Sequence, residues 1–98
     1  MKDRIEGIVV EMVAELNQEL EYEWLENPSS GTVLYSGGDG IDSLSLVWLV
    51  VEVETRINDE FSASVSLANE KAMSMKRSPY RSVGAFAEFI ETQLREGS

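Results

Sequence analysis

Apolar residues recur at three- and four-residue steps in three separate segments of this chain. An α-helix has 3.6 residues per turn, so this spacing gathers the apolar side chains of each segment on one face. The pattern predicts an all-α fold, a small helical bundle. With 98 residues, the chain can bury only a modest core and has little interior for an enclosed active site. We therefore expect a single domain over residues 1–98.

Four helices are predicted, at about residues 3–20, 43–57, 67–75 and 82–95. The second segment is a continuous apolar run rich in valine, and such a run is also compatible with a buried strand. In the segment that follows the second helix, Phe61, Val65 and Leu67 are expected to be buried. The helical side chains expected to face the core are Ile5, Ile8, Val9, Met12, Val13, Leu16 and Leu20, then Leu46, Val47, Val50, Val53 and Ile57, then Val83, Phe86, Ala87, Ile90 and Leu94.

A long connection, residues 27–42, separates the first two helices. It contains one proline and four glycines and has no helical period. Val33, Leu34 and Tyr35 are the residues expected to hold it on the core. A loop of this length is uncommon in so small a domain and is often functional.

Composition excludes several classes of function. The 18 acidic and 8 basic residues give a formal charge of -10 and a pI near 4.3, which repels nucleic acid and anionic membranes and favours basic protein surfaces. The chain has no cysteine, and it has no histidine to serve as the usual base of a nucleophilic serine or as a zinc ligand. No apolar run reaches membrane-spanning length. We expect a cytoplasmic, monomeric protein that is not an enzyme.

The stretch GGDGIDSLSLVWLVVEVE, residues 37–54, joins a glycine-rich run to the second helix. Asp42 or Ser43 can cap that helix, as Ser82 can cap the last one, and capping is the usual role of such a pair. A calcium loop is excluded, because the alternating oxygen ligands and closing glutamate of an EF-hand are missing. A serine at a helix start has its oxygen beside unpaired amides and the positive end of the helix dipole. A phosphodiester attached there is therefore tolerated.

The residues Gly40-Ile41-Asp42-Ser43-Leu44, with apolar positions following at Val47, Val50 and Val53, resemble the attachment motif of the acyl carrier protein family. The resemblance covers nearly the whole chain and implies the family's four-helix fold. It also implies that Ser43 carries 4'-phosphopantetheine, transferred from coenzyme A by a magnesium-dependent phosphopantetheinyl transferase. The arm's thiol would hold acyl groups as thioesters for enzymes of a fatty-acid, polyketide or related pathway. Asp42 and Leu44 are the positions that the resemblance assigns to recognition by the transferase.

Three alternatives to a discrete (type II) acyl carrier stay open. A peptidyl or aminoacyl carrier shares the same attachment chemistry. A carrier-like adaptor would bind partners as a structural subunit, although the serine at position 43 argues against an unmodified one. An enzyme that uses this serine as its own nucleophile is disfavoured by the missing histidine.

The second helix departs from the family pattern at Ser45 and Trp48, where acidic residues that meet basic partner patches are common. Leu44, Trp48, Val51 and Thr55 form a second stripe away from the inferred core. One interpretation is that a neighbouring helix or the long loop covers this stripe. The other is a docking surface made by Leu44, Trp48, Val51 and Glu52, with the tryptophan as anchor.

A second departure lies between residues 65 and 83, where the chain is several residues longer than typical carriers. Half of the basic residues fall there, at Lys71, Lys76, Arg77 and Arg81. A solvated loop is the simpler interpretation. Contact with an anionic substrate group or an acidic partner is the alternative.

Overall fold

The computed structural model describes residues 2–36, 39–67 and 79–97 and shows a small helical bundle. Its helices are α1 (Lys2–Leu20), α2 (Ser43–Phe61) and α3 (Val83–Gly97). The predicted helical fold is confirmed over these segments, and the strand interpretation of the second one is wrong. The helix predicted at 67–75 falls outside the described residues from position 68 onward.

Short elements interrupt the connection between α1 and α2. A single 3-10 turn covers Glu23–Leu25. Two-residue strands β1 (Tyr35–Ser36) and β2 (Asp39–Gly40) pair antiparallel, with Tyr35 opposite Gly40. The predicted loop therefore contains a small ribbon just before α2.

The core lies where α1 packs against both α2 and α3. The inner faces predicted for α1 and α3 are confirmed, with Leu20 half-buried at the edge. Leu25 and Ile41 add to the core from the connection between α1 and α2. The buried side chains are Ile5, Ile8, Val9, Met12, Val13, Leu16, Leu25, Leu34, Ile41, Leu46, Leu49, Val50, Val53, Ile57, Val65, Leu67, Tyr80, Val83, Phe86, Ala87, Ile90 and Leu94.

The inner face of α2 differs from the prediction at one position. Val47 is 44% exposed, so its assignment to the core is wrong, and Leu49 is fully buried instead. Because this run is apolar on nearly every side, its spacing predicts that it forms a helix but does not predict which side of the helix faces the core. Packing against α1 selects the rotation.

An asparagine side chain terminates α1. Glu21 adopts the left-handed conformation, with φ of 55°, and its N–H donates to the Asn17 carbonyl at 2.7 Å. The Asn17 amide also exchanges two hydrogen bonds with the backbone of Tyr22, at 2.8 and 3.1 Å. These bonds satisfy backbone groups that a helix end leaves unpaired.

The end of α2 repeats this arrangement. Ser62 is left-handed, with φ of 50°, and the Asn58 amide exchanges hydrogen bonds with the backbone of Val65 at 2.8 and 3.1 Å. The predicted end of this helix, near residue 57, is too early, because α2 continues to Phe61 and Asn58 caps it from within the helix.

Backbone hydrogen bonds tie the long loop to the start of α3. Leu34 is fully buried, as expected, and Tyr35 is half-buried. The expectation that the Val33 side chain holds the loop on the core is wrong, because it is 45% exposed and Val33 pairs with Ser82 through its backbone. Four N–H groups donate across this junction: Leu34 to Arg81 at 2.9 Å, Tyr35 to Tyr80 at 3.1 Å, Val83 to Thr32 at 3.0 Å and Gly84 to Ser30 at 2.8 Å.

Leu67 and Tyr80 fix the chain on either side of residues 68–78. The Leu67 N–H donates to the Glu54 carboxylate at 2.7 Å, and the Leu67 carbonyl accepts from the Tyr80 hydroxyl. Both side chains are buried. The Tyr80 ring makes edge contacts with Phe86 and Phe89, at centroid distances of 5.3 and 6.2 Å. Val65 and Leu67 are buried as predicted, whereas Phe61 is half-buried.

Candidate functional site

Asp42 is the cap of α2. Its Oδ1 atom accepts from the Ser45 N–H at 2.7 Å, and its carbonyl accepts the first helical bond, from the Leu46 N–H at 3.0 Å. Extended backbone angles, φ -74° and ψ 167°, place it just outside the helix. The alternative cap, Ser43, is the first helical residue. Ser82 caps α3 as predicted, accepting from the Ala85 N–H at 3.1 Å.

The cap stabilises the charged form of the Asp42 carboxylate. The Ser45 N–H and then its hydroxyl lower the pKa of Asp42 below 3.8, with a smaller contribution from the Leu44 N–H and a small opposing effect of desolvation. A carboxylate that accepts backbone N–H bonds binds its proton more weakly. The amino end of α2 therefore already holds one negative charge at neutral pH.

Ser43 lies at the point where the chain emerges from the core. Ile41, two residues earlier, is 2% exposed, and its N–H donates to the Leu34 carbonyl at 2.8 Å. Asp42 is exposed, and Leu44 is 81% exposed. Ile41 therefore anchors the chain directly before residues 42–44. The side chains of Asp42 and Leu44, on either side of Ser43, are exposed to solvent.

The Asp42 carboxylate already occupies part of the amino end of α2. Of the first-turn amides expected to be free, that of Ser45 is already bound to Asp42. Within the described segments no three carboxylates lie close enough together to hold a metal ion. No histidine or cysteine occurs in the chain.

The outer face of α2 is apolar and exposed. Trp48 is 42% exposed and Val51 44%, so the interpretation that a neighbouring helix or loop covers this stripe is wrong for the described residues. Thr55 is also exposed and donates its hydroxyl hydrogen to the Val51 carbonyl. Glu52 is exposed, whereas Glu54 is half-buried and bound to Leu67.

A groove of about 340 Å³ runs between the carboxyl end of α1 and the amino end of α2. Its lining residues are Leu16, Glu19, Leu20, Leu44, Ser45 and Trp48. The sequence did not predict this groove, because the groove forms only where the ends of two antiparallel helices meet. Leu20, an apolar residue at the edge of the apolar stripe of α1, is the sequence feature that could have indicated it.

Four basic residues were singled out between residues 65 and 83. Lys71, Lys76 and Arg77 lie outside the described residues. Arg81 is exposed, and its carbonyl accepts from Leu34. The alternatives for this segment stay predictions.

No helix in the described part of the chain is long and apolar enough to cross a membrane. No protein-family model matches the chain, and neither a curated protein nor a solved structure is similar to it.

Proposed function

We propose that this protein is a discrete acyl carrier protein whose Ser43 bears a 4'-phosphopantetheine arm. The observation that carries the proposal is the position of Ser43. It opens a 19-residue helix directly after its aspartate cap, between the exposed residues Asp42 and Leu44. A large enzyme can approach the backbone there without disturbing the core.

The amino end of α2 fits an attached phosphodiester. The partial positive charge of the helix end favours a negative group by about 0.3 to 1 kcal/mol at an exposed site. The Asp42 carboxylate, already bound to Ser45, opposes this by like-charge repulsion. The two effects together predict an arm that is tolerated and extends into solvent.

The residues around Ser43 have separate roles in this proposal. The transferase supplies the base for the serine hydroxyl, so the carrier needs no histidine. Asp42 fixes the first turn of α2, and Leu44 offers the transferase an apolar side chain that is 81% exposed. When bound, the arm supplies a thiol that carries acyl groups as thioesters.

Intact-mass measurement tests the proposal. The purified protein is incubated with coenzyme A, Mg²⁺ and a broad-specificity phosphopantetheinyl transferase. We expect wild type to gain the mass of one arm and Ser43→Ala to gain none. Ser45→Ala is the matched control, since Ser45 is the other serine in the first turn of α2. It should still be modified, and a gain that follows Ser45 or is absent from wild type contradicts the proposal.

One alternative has its own support. The exposed apolar face of α2 is also what a carrier-like adaptor would use to bind a partner. An adaptor predicts no gain of mass under the same conditions. A peptidyl or aminoacyl carrier predicts the same gain and differs in the group that the holo protein accepts, which loading assays with acyl and aminoacyl donors distinguish.

A further inference from the structure

Leu34 joins the start of α2 to the turn before α3. Its carbonyl accepts from the Ile41 N–H at 2.8 Å, and its own N–H donates to the Arg81 carbonyl at 2.9 Å. The next residue makes a second contact with the same turn, since the Tyr35 N–H donates to the Tyr80 carbonyl at 3.1 Å. Leu34 and Ile41 are both buried. The segment directly before α2 is therefore held, through the long loop, by the turn before α3.

The side chain of Tyr80 fixes the position of that turn. It is 1% exposed, and its hydroxyl donates to the Leu67 carbonyl. Its ring makes edge contacts with Phe86 and Phe89 of α3. The loop donates to the main-chain carbonyls of Tyr80 and Arg81, so the contacts that hold the Tyr80 ring also hold these two acceptors. Tyr80 thus controls, through its side chain, a junction that is otherwise made of backbone bonds.

These contacts begin and end on α2. The Leu67 N–H donates to the Glu54 carboxylate at 2.7 Å, and Glu54 lies eleven residues after Ser43 in the same helix. From Leu67 the hydrogen bonds pass through Tyr80 and the loop and return to the amino end of α2. Satisfied hydrogen-bond networks make the groups that they join more rigid. The network runs from Leu67 through Tyr80, Arg81 and Leu34 to Ile41.

The Asp42 cap restrains a different part of the chain. Its carboxylate accepts from the Ser45 N–H and its carbonyl from the Leu46 N–H, so both bonds order residues inside α2. The direction from which the chain reaches Asp42 is set by Ile41, which the loop holds. The cap therefore acts on the residues after Ser43, and the network acts on the residues before it.

Transfer of the proposed arm depends on where the hydroxyl of Ser43 is held. The serine oxygen forms a bond to the phosphorus that carries the pantetheine group of coenzyme A. The bond from that phosphorus to the nucleotide phosphate breaks, adenosine bisphosphate leaves, and the serine proton passes to the base of the transferase. Such a displacement requires close and aligned reacting atoms. A substrate that adopts the competent arrangement only part of the time binds with an apparent affinity reduced by that fraction.

We propose that Tyr80 is a positioning residue for the modification of Ser43 and acts through the network that orders residues 41–43. The inference rests on the proposed function, since it names a residue on which the transfer depends. Because the Tyr80 side chain is buried, it cannot contact the transferase, and its effect reaches Ser43 through the protein.

Steady-state kinetics of modification test this role, with the carrier as the varied substrate of a broad-specificity phosphopantetheinyl transferase. Tyr80→Phe keeps the ring contacts and removes the hydrogen bond to Leu67. We expect the KM for the carrier to rise about fivefold while kcat changes less than about twofold. Ile90→Val is the control, because it removes one methyl group from a buried residue of α3 outside the network. It should leave both constants within about twofold of wild type.

Gly84→Ala disturbs the same junction at a second point. The Gly84 N–H donates to the Ser30 carbonyl, and an added Cβ would lie 3.0 Å from that oxygen. The substitution displaces the loop while leaving the sequence around Ser43 unchanged, so the KM should rise as in Tyr80→Phe. Gly7→Ala, where nothing lies within 4 Å of the added carbon, should not raise it. Gly84→Ala carries the test if Tyr80→Phe does not fold.

Amide chemical shifts of the unmodified protein give a measurement that is independent of the transferase. Tyr80→Phe should shift the amide signals of residues 41–46 as well as those near position 80. Ile90→Val should leave the signals of residues 41–46 in place, because a general loss of stability does not reorient the start of α2.

Two results would overturn the inference alone, in a wild-type protein that does gain an arm. One is an unchanged KM in folded Tyr80→Phe. The other is an equal rise in Tyr80→Phe and Ile90→Val, which would assign the effect to stability. A wild-type protein that gains no arm overturns the carrier function and this positioning role with it.

Discussion

The hydroxyl of Tyr80 donates a hydrogen bond to the main-chain carbonyl of Leu67, thirteen residues earlier in the chain. Both side chains are buried, and the Leu67 N–H is held in turn by the Glu54 carboxylate. One phenol and one carboxylate thus satisfy both backbone groups of a single buried residue. Two expectations follow for Tyr80.

Tyr80→Phe should destabilise the fold. The substitution leaves the ring contacts with Phe86 and Phe89 in place but removes the donor to a buried carbonyl. An unsatisfied buried acceptor costs about 1–3 kcal/mol. Urea unfolding followed by circular dichroism measures the loss. Tyr35→Phe, at a half-buried tyrosine of the ribbon, is the control and should change the free energy of unfolding less. Equal losses would mean that the hydrogen bond to Leu67 contributes little.

Stability should decline at high pH because of the same hydroxyl. Burial, and then the nearby Glu54 charge, raise the pKa of Tyr80 from 10.0 to about 12. Between these values the unfolded chain loses the phenolic proton while the folded one keeps it, so the stabilisation is complete below pH about 10 and is lost by about 12. The free energy of unfolding measured across this range should fall more steeply in wild type than in Tyr80→Phe. Parallel curves would exclude this residue as the cause.

Asp42 should govern acid sensitivity at the start of α2. Its folded pKa lies below 3.8, so the stability that it contributes is present above that value. This contribution is lost as pH falls through the folded pKa. NMR titration of the carboxyl group should give a midpoint below that of the unfolded chain. Asp42→Ala should fray the first turn of α2, and Asp42→Asn, which keeps an acceptor for the Ser45 N–H, should fray it less. Equal amide exchange in both variants would contradict the cap.

Two glycine-to-alanine substitutions should have opposite outcomes. Gly7 is inside α1 with nothing within 4 Å of an added Cβ, so Gly7→Ala should stabilise by about 0.5–1 kcal/mol. At Gly84 the added carbon would lie 3.0 Å from the Ser30 carbonyl oxygen, which already accepts the Gly84 N–H. Gly84→Ala should therefore lose that gain and loosen the loop. Thermal unfolding compares the two, and equal stabilisation would show that the loop moves aside freely.

Helices were predictable here because their signals are local. Spacing of apolar residues fixed the inner faces of α1 and α3, and Ser82 marked the start of α3 correctly. The rotation of α2 was not predictable, since Val47 and Leu49 are equivalent in an apolar run until a neighbour packs against one side. The end of α2 was predicted too early for a related reason: the capping partner of Asn58, Val65, lies seven residues away, beyond the end of the helix.

At the candidate site, the sequence predicted the position of Ser43 at the opening of α2 and offered Asp42 as a possible cap. It left open whether the stripe containing Trp48 was covered, because that depends on elements distant in sequence. The binding of the loop to α3 was likewise hidden. Those hydrogen bonds join backbone atoms, such as the Leu34 N–H and the Arg81 carbonyl, and leave no side-chain pattern to detect.

The backbone bonds between the long loop and α3 also couple the two ends of the molecule's connection. The Ile41 N–H donates to the Leu34 carbonyl and the Leu34 N–H to the Arg81 carbonyl, so a chain of hydrogen bonds links the amino end of α2 to the turn before α3. We therefore expect the amides of Leu34 and Ile41 to open to solvent together with the start of α3, a helix that begins forty residues after Ser43, as one cooperative unit.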